Sequence, residues 1–164
     1  MTARLTLIAH AATEAQRRAA FSAPFPIDEP VAEGEIAKIA ALNWRVPRAN
    51  RVLCGPELRA QQTSHALRLQ AAISDELRDC HYGAWSGRAM DEVQAEEPEG
   101  IIAWLTDPSA APHGGESIEN LIDRVGLWMD EQCAAKHHRR DASGRDPCRN
   151  CSCYAVAAHD ILAL

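Results

Sequence analysis

The sequence predicts an α/β fold, and three observations carry that prediction: two strand-turn-helix units in the first half of the chain, a long amphipathic helix over 116–135, and a short apolar strand near the C-terminal end. The segments RLTLIA (4–9) and NRVLCG (50–55) are short apolar runs of the kind buried strands use, and each leads into a stretch of Ala, Gln, Arg and Leu that suits a helix. Strands alternating with helical patterns are the signature of a sheet covered by helices.

Taken in order, strand 4–9 is followed by the helix-compatible TEAQRRAAF (13–21). Pro24, Pro26 and Pro30 then break any helix, so 22–30 is a loop. In VAEGEIAKIAALNW (31–44), Ile36, Ile39, Ala40 and Leu42 fall close to helical spacing and predict a helix that packs one face on the sheet. After strand 50–55, PELRAQQTSHALRL (56–69) predicts a helix with Pro56 in its first turn. ISDELRDCHYGAWSG (73–87) lacks a helical period and predicts an extended segment opening into a loop, while 88–112 carries no recognisable specificity signal. Ile118, Leu121, Ile122, Val125 and Met129 form the apolar stripe of the helix over 116–135, whose early acidic residues suit the helix dipole. From Lys136 to Cys153 the chain is basic, rich in cysteine and almost without aliphatic residues, which predicts a segment outside the core; YAVAAHDILAL (154–164) then returns to strand-like residues and reaches His159. No internal repeat is visible.

With 164 residues the chain fits a single domain over 1–164, containing one atypical segment at 136–153. A net charge of −6 argues against a general nucleic-acid binder, which needs clustered Lys and Arg. No segment approaches the roughly 20 apolar residues of a membrane span, and the N-terminus lacks a secretory apolar region, so a cytoplasmic protein with no membrane partner is expected. The six cysteines do not follow the spaced framework of a small secreted domain and are expected to be reduced.

Four stretches carry candidate chemistry: IAHAATEAQ with His10, CGPELRAQQTS with Arg59, LRDCHYGAWSG with Asp79 and His81, and DPSAAPHGGES ending at Ser117. Singly, each has a structural explanation: a lone arginine such as Arg59 reads more readily as a solvated helix residue, and GGES at least as well as a loop before a helix start. Their order and composition together resemble the histidine phosphatase superfamily, also called the phosphoglycerate mutase-like family. The family's RHG motif reads Ala9-His10-Ala11, with Thr13 at its hydroxyl position and Gln16 in place of its Asn. The family stretch SSPLxRAxQTA is matched at Pro56, Arg59, Ala60, Gln62 and Thr63, and LxExxYGxWxG at Leu77, Tyr82, Gly83, Trp85 and Gly87, with Asp79 in the acidic place. Gly114, Gly115, Glu116 and Ser117 match the GGES stretch, so the resemblance covers residues 4 to about 130.

The resemblance implies a three-layer α/β/α sandwich with a largely parallel sheet, whose last strand and helix are possible losses at the C-terminus. It also implies a phosphatase for small phosphorylated substrates that needs neither cofactor nor metal, a hydrolase rather than a mutase because no long capping insertion is present. His10 would be the nucleophile forming a phosphohistidine, Asp79 the proton donor, and His159 the second phosphate-binding histidine; Arg59, Thr13 and Gln16 would bind substrate. Arginine suits that task because its planar fork grips two oxygens at once.

Two departures bear on activity. Ala9 stands where the family has an arginine, and loss of one preorganised donor costs about 3 to 4 kcal/mol, some 10²- to 10³-fold in rate. Arg17 or Arg18 are candidate substitutes. His159 arrives late, with five residues after it. Codons for residues 144–154 read one base forward permit a peptide such as VVTHAVIAAA, which resembles the family's second-histidine strand and predicts a frameshift in the gene. Two rival readings stand beside the phosphatase: a catalytically inactive relative that binds phosphorylated ligands, and a Cys/His metal module built on His137, His138, Cys148, Cys151 and Cys153.

Overall fold

The computed structural model of the protein describes residues 2–23, 28–42, 49–134 and 150–157. Its sheet has four strands, β1 (Thr2–Ala9), β2 (Arg51–Cys54), β3 (Ala72–Ile73) and β4 (Asn150–Ala157), in the order β1-β4-β2-β3. Every pairing in it is parallel, with Ala9 opposite Ala157 and Cys54 opposite Val156. Parallel strands need crossovers, and the helices supply them: α1 (Glu14–Arg17), α2 (Glu35–Ala41), α3 (Leu58–Ala66), α4 (Met90–Glu96), α5 (Pro98–Thr106) and α6 (Ile118–Ala134).

Alternation along the strands explains the layers. Leu5 and Leu53 face one side, where they meet Trp128 of α6 and Leu77; Ile8 and Cys54 face the other, against Ala60 of α3. Helices therefore cover both faces, and the chain has the α/β architecture expected from its strand-helix alternation. A third cluster lies beyond the sheet, where Phe21, Tyr82, Trp85, Val93, Ile101, Trp104 and Leu121 pack together.

Several elements differ from the sequence expectation, each for a local reason. The first helix is only Glu14–Arg17: Ala19 turns into the left-handed region at φ 50°, and the chain then pairs with 87–89 to drive Phe21 into the aromatic cluster. Gly34, at φ 81°, starts α2 later than the apolar pattern suggests, and α2 packs on α3 rather than on the sheet, burying no residue fully. Pro56 lies outside α3, whose N-cap is Glu57. On α6 the buried line runs through Ile118, Leu121, Val125 and Trp128, while Ile122 is 62% exposed. The two helices α4 and α5 occupy the stretch that was silent in sequence, with Pro98 at the start of α5 and Trp104 facing the core. β4 begins at Asn150, inside the segment expected to lie outside the core: a strand flanked on both sides is held by backbone hydrogen bonds, which do not require aliphatic side chains. His137, His138 and Cys148 of the metal reading, and His159, lie outside the described residues.

Candidate active site

The polar cluster forms off the carboxyl ends of β1 and β2, where parallel sheets build ligand sites. His10 is the first residue after β1 and is 8% exposed. Its Nδ1 lies 2.6 Å from the Ala11 carbonyl, which can only accept, so Nδ1 is the donor and, in an uncharged ring, Nε2 is the nitrogen with the lone pair. The next turn is tied to α3: the Ala11 N–H donates to Thr63 Oγ1 (2.9 Å), and that hydroxyl donates to the Arg59 carbonyl (2.7 Å). One threonine therefore links the backbone following His10 to the residue that carries the guanidinium.

Arg59 is 2% exposed. Its Nη2 donates to Asp79 Oδ2 at 2.6 Å and its Nη1 to Asp28 Oδ1 at 2.9 Å. Asp79 is itself fixed from below: its backbone N–H donates to Glu57 Oε1 (2.7 Å), and its Oδ1 accepts from the Cys80 N–H (2.8 Å). Burial works against the charge on Arg59, but the Asp79, Asp28 and Glu57 carboxylates outweigh it and hold the guanidinium above its ordinary value. For Glu57 the balance is opposite. Burial pushes its carboxyl up, against the Asp79 N–H bond and Arg59, and Oε2 has no hydrogen-bond partner among the described residues. Gly55 has to be glycine here, because a Cβ would stand 2.8 Å from the Leu77 carbonyl and run into Glu57 Oε2.

A second loop closes over this group. The Val31 N–H donates to Gln62 Oε1 (2.8 Å) and the Ala32 N–H to the Ala12 carbonyl (2.8 Å), which seats residues 28–32 between the turn after β1 and α3.

The expected site residues thus fall into two groups. His10, Arg59 and Asp79 belong to linked parts of one cluster. Thr13 and Gln16 form a capping box on α1, with the Gln16 N–H on Thr13 Oγ1 (3.2 Å) and the Thr13 N–H on Gln16 Oε1 (3.1 Å). β4, which leads toward His159, lies beside β1. The GGES stretch does structural work: the Glu116 N–H bonds the His81 carbonyl, Glu116 grips Arg124 at 2.8 and 2.7 Å, and Ser117 Oγ accepts from the Asn120 N–H at the start of α6. Sequence reasoning passed over Asp28 and Glu57. The signal for Glu57 was available in CGPELRAQQTS, where an acidic residue stands between Pro56 and Leu58 beside a buried strand end.

Among the described residues, no group of three or more His, Cys, Asp or Glu side chains is arranged to hold a metal ion, and no helix is long and apolar enough to cross a membrane. Cys54 and Cys80 are buried thiols; burial raises both, Cys80 to about 12, which leaves them protonated and unreactive.

Fold and cluster together define a parallel α/β protein with a buried His/Arg/Asp group at the strand ends. The sequence profile of the histidine phosphatase superfamily (branch 1) matches residues 5–142, and the chain belongs to that superfamily. It is 31% identical over 132 residues to a bifunctional protein of Mycobacterium tuberculosis, a match covering 77% of this chain and 36% of that protein. The chain therefore spans only about a third of that relative. It is 30% identical over 143 residues to the adenosylcobalamin/alpha-ribazole phosphatase of Salmonella typhimurium, covering 79% of this chain and 70% of the relative. Among solved structures, a mycobacterial glucosyl-3-phosphoglycerate phosphatase complexed with VO3 shares the fold, with a TM-score of 0.73 at 23% identity, over 94% of this chain and 75% of that one.

Proposed function

We propose that the chain hydrolyses small phosphomonoesters through a phosphohistidine at His10. The observation that carries this reading is the buried ring of His10, whose Nδ1 is held by the Ala11 carbonyl at 2.6 Å, which leaves Nε2 for the attack. Nε2 attacks phosphorus, the N–P bond forms as the ester P–O bond breaks, and the leaving oxygen takes a proton from Asp79. Water then attacks the phosphoryl group, gives its proton back to Asp79, and the N–P bond breaks. Arg59 stabilises the charge on the equatorial oxygens, and His159 is assigned the second imidazole on the phosphate. Asp79 enters as the carboxylate partner of Arg59, held at the guanidinium that binds the phosphate. With Ala9 in the arginine position, turnover is expected to be about 10²- to 10³-fold below that of a site with both guanidinium groups. The family membership, and relatives named as phosphatases, support the class. The substrate class is a small phosphorylated molecule.

The test is hydrolysis of a generic aryl phosphate together with trapping of an acid-labile phosphoenzyme. His10→Ala is expected to abolish both; hydrolysis that survives the substitution excludes His10 as the nucleophile. One observation favours a second reading, a phosphate-binding relative without turnover: Ala9 stands where the family carries the arginine before its nucleophile. Phosphate binding with no His10-dependent hydrolysis decides for it.

A further inference from the structure

We propose that Asp28 is a positioning residue for Arg59 that also competes with phosphate for it, so that this carboxylate, rather than Arg59 alone, sets how tightly the site binds an anion. The proposal rests on the reading of Arg59 as the phosphate donor.

The argument begins with α3, which has no cap of its own: Glu57 stands at the N-cap and makes no side-chain capping bond. Asp28 supplies the cap from a distant loop. One of its oxygens accepts the Leu58 N–H and the other accepts Arg59 Nη1, so a single carboxylate satisfies the first turn of the helix and one arm of the guanidinium. A carboxylate is favoured there by the helix dipole as well as by the arginine. Its side chain is as buried as that of Arg59. The segment that follows is fixed by the Val31 and Ala32 backbone bonds, so Asp28 is not a surface acid that swings away at no cost.

The consequence follows from counting donors. Nη2 is engaged by Asp79 and Nη1 by Asp28, while Nε has no partner among the described residues. Three of the five N–H donors remain, Nε and one hydrogen on each terminal nitrogen, so a phosphate that takes the guanidinium bidentately sits on the same cation as both carboxylates and meets their charge. Asp79 is assigned to the chemistry, which leaves Asp28 as the partner whose direct effect on the ligand is repulsion. Asn at this position keeps a carbonyl oxygen for the Leu58 N–H and removes the charge.

The test measures binding of inorganic phosphate to the full chain by calorimetry, at neutral pH and fixed ionic strength. Asp28→Asn is expected to bind phosphate about tenfold more tightly than the unsubstituted protein, equivalent to about 1.4 kcal/mol. With an aryl phosphate, KM should fall by a similar factor while kcat moves less. Asp28→Glu, which restores the charge, should return affinity to the original value. Glu29→Gln is the control. It removes the same charge one residue away, from a side chain that bonds the Ala15 N–H and surface Arg18, and is expected to leave phosphate affinity within about twofold. Thermal unfolding verifies the fold of each variant, and Asp28→Ser serves if Asn is not accommodated. The proposal is overturned if the neutral variant binds no tighter than the parent, if Glu29→Gln gains as much, or if neither parent nor variant binds phosphate. Hydrolysis lost in His10→Ala remains a separate measurement, so failure here and failure of the phosphatase reading are told apart.

Discussion

The aromatic cluster and the charged cluster are both buried, and they are held by opposite kinds of force. Trp85 and Arg59 are 0% and 2% exposed. Around Phe21, the rings of Tyr82, Trp85 and Trp104 stand at centroid distances of 5.1, 5.3 and 5.7 Å, a set of contacts shared among several partners and indifferent to pH. Around Arg59, each carboxylate has one or two specific donors, and a single cation serves Asp28, Asp79 and Glu57. The first region is held by buried apolar area. The second depends on one charge, so its contribution to stability is conditional on the protons its acids carry.

The largest effect expected is the one that separates the two regions most directly. Phe21→Ala removes the ring at the centre of its cluster and should cost about 3 to 5 kcal/mol of unfolding free energy. Arg59→Met leaves buried acids without their cation, and removal of one partner from a buried ion pair costs a similar amount, about 3 to 5 kcal/mol at neutral pH. Denaturant titrations across pH distinguish them. The Arg59→Met deficit should shrink as pH falls, because protonation removes the stranded carboxylate charge, whereas the Phe21→Ala deficit should stay constant. Equal pH dependence in the two variants would erase the distinction.

The same contrast explains what could be read from sequence. Strands 4–9 and 50–55, the long helix at 116–135, and motifs that bring Arg59 beside Asp79 were legible, because apolar period and motif order are local properties of the chain. Asp28 was not. Its role depends on a loop that crosses back over α3 through the Val31–Gln62 and Ala32–Ala12 bonds, and nothing within the stretch SAPFPIDEP announces that crossing. The buried line on α6 was misassigned because Ile122 and Met129 share helical spacing with residues that do pack, and only the position of Trp128 over Leu53 and Leu77 decides which face turns inward. Thr13 and Gln16 have the residue types both for phosphate contacts and for a capping box, and sequence alone does not separate those uses.

A smaller effect sharpens the account of the charged region. Burial raises the Glu57 carboxyl, so the folded state holds its proton more tightly than the unfolded chain does. Its favourable contribution is complete below the ordinary glutamate value of about 4.3 and is lost as pH rises through the higher folded value. Glu57→Gln keeps an oxygen for the Asp79 N–H and has no proton to lose. The variant should therefore match the parent in acid and exceed it at neutral pH, by less than either large substitution above. A variant less stable than the parent at neutral pH would mean that the Glu57 charge supports Arg59 instead of burdening it.

The smallest effect expected concerns charges outside both regions, and it tests whether the surface compensates for the missing guanidinium at Ala9. Arg17 bonds Glu14 at 2.7 Å and Glu35 at 2.9 Å, and Arg18 bonds Glu29 at 3.2 Å with its side chain 62% exposed. Exposed pairs of this kind are screened by water and salt, so Arg17→Ala and Arg18→Ala should each shift stability by no more than about 0.5 kcal/mol. Neither should change hydrolysis of an aryl phosphate beyond about twofold, since both guanidinium groups are committed to carboxylates around α1. A drop of tenfold or more in either variant would show that a surface arginine reaches the phosphate, and the division between a buried site with one cation and a solvated rim would no longer hold.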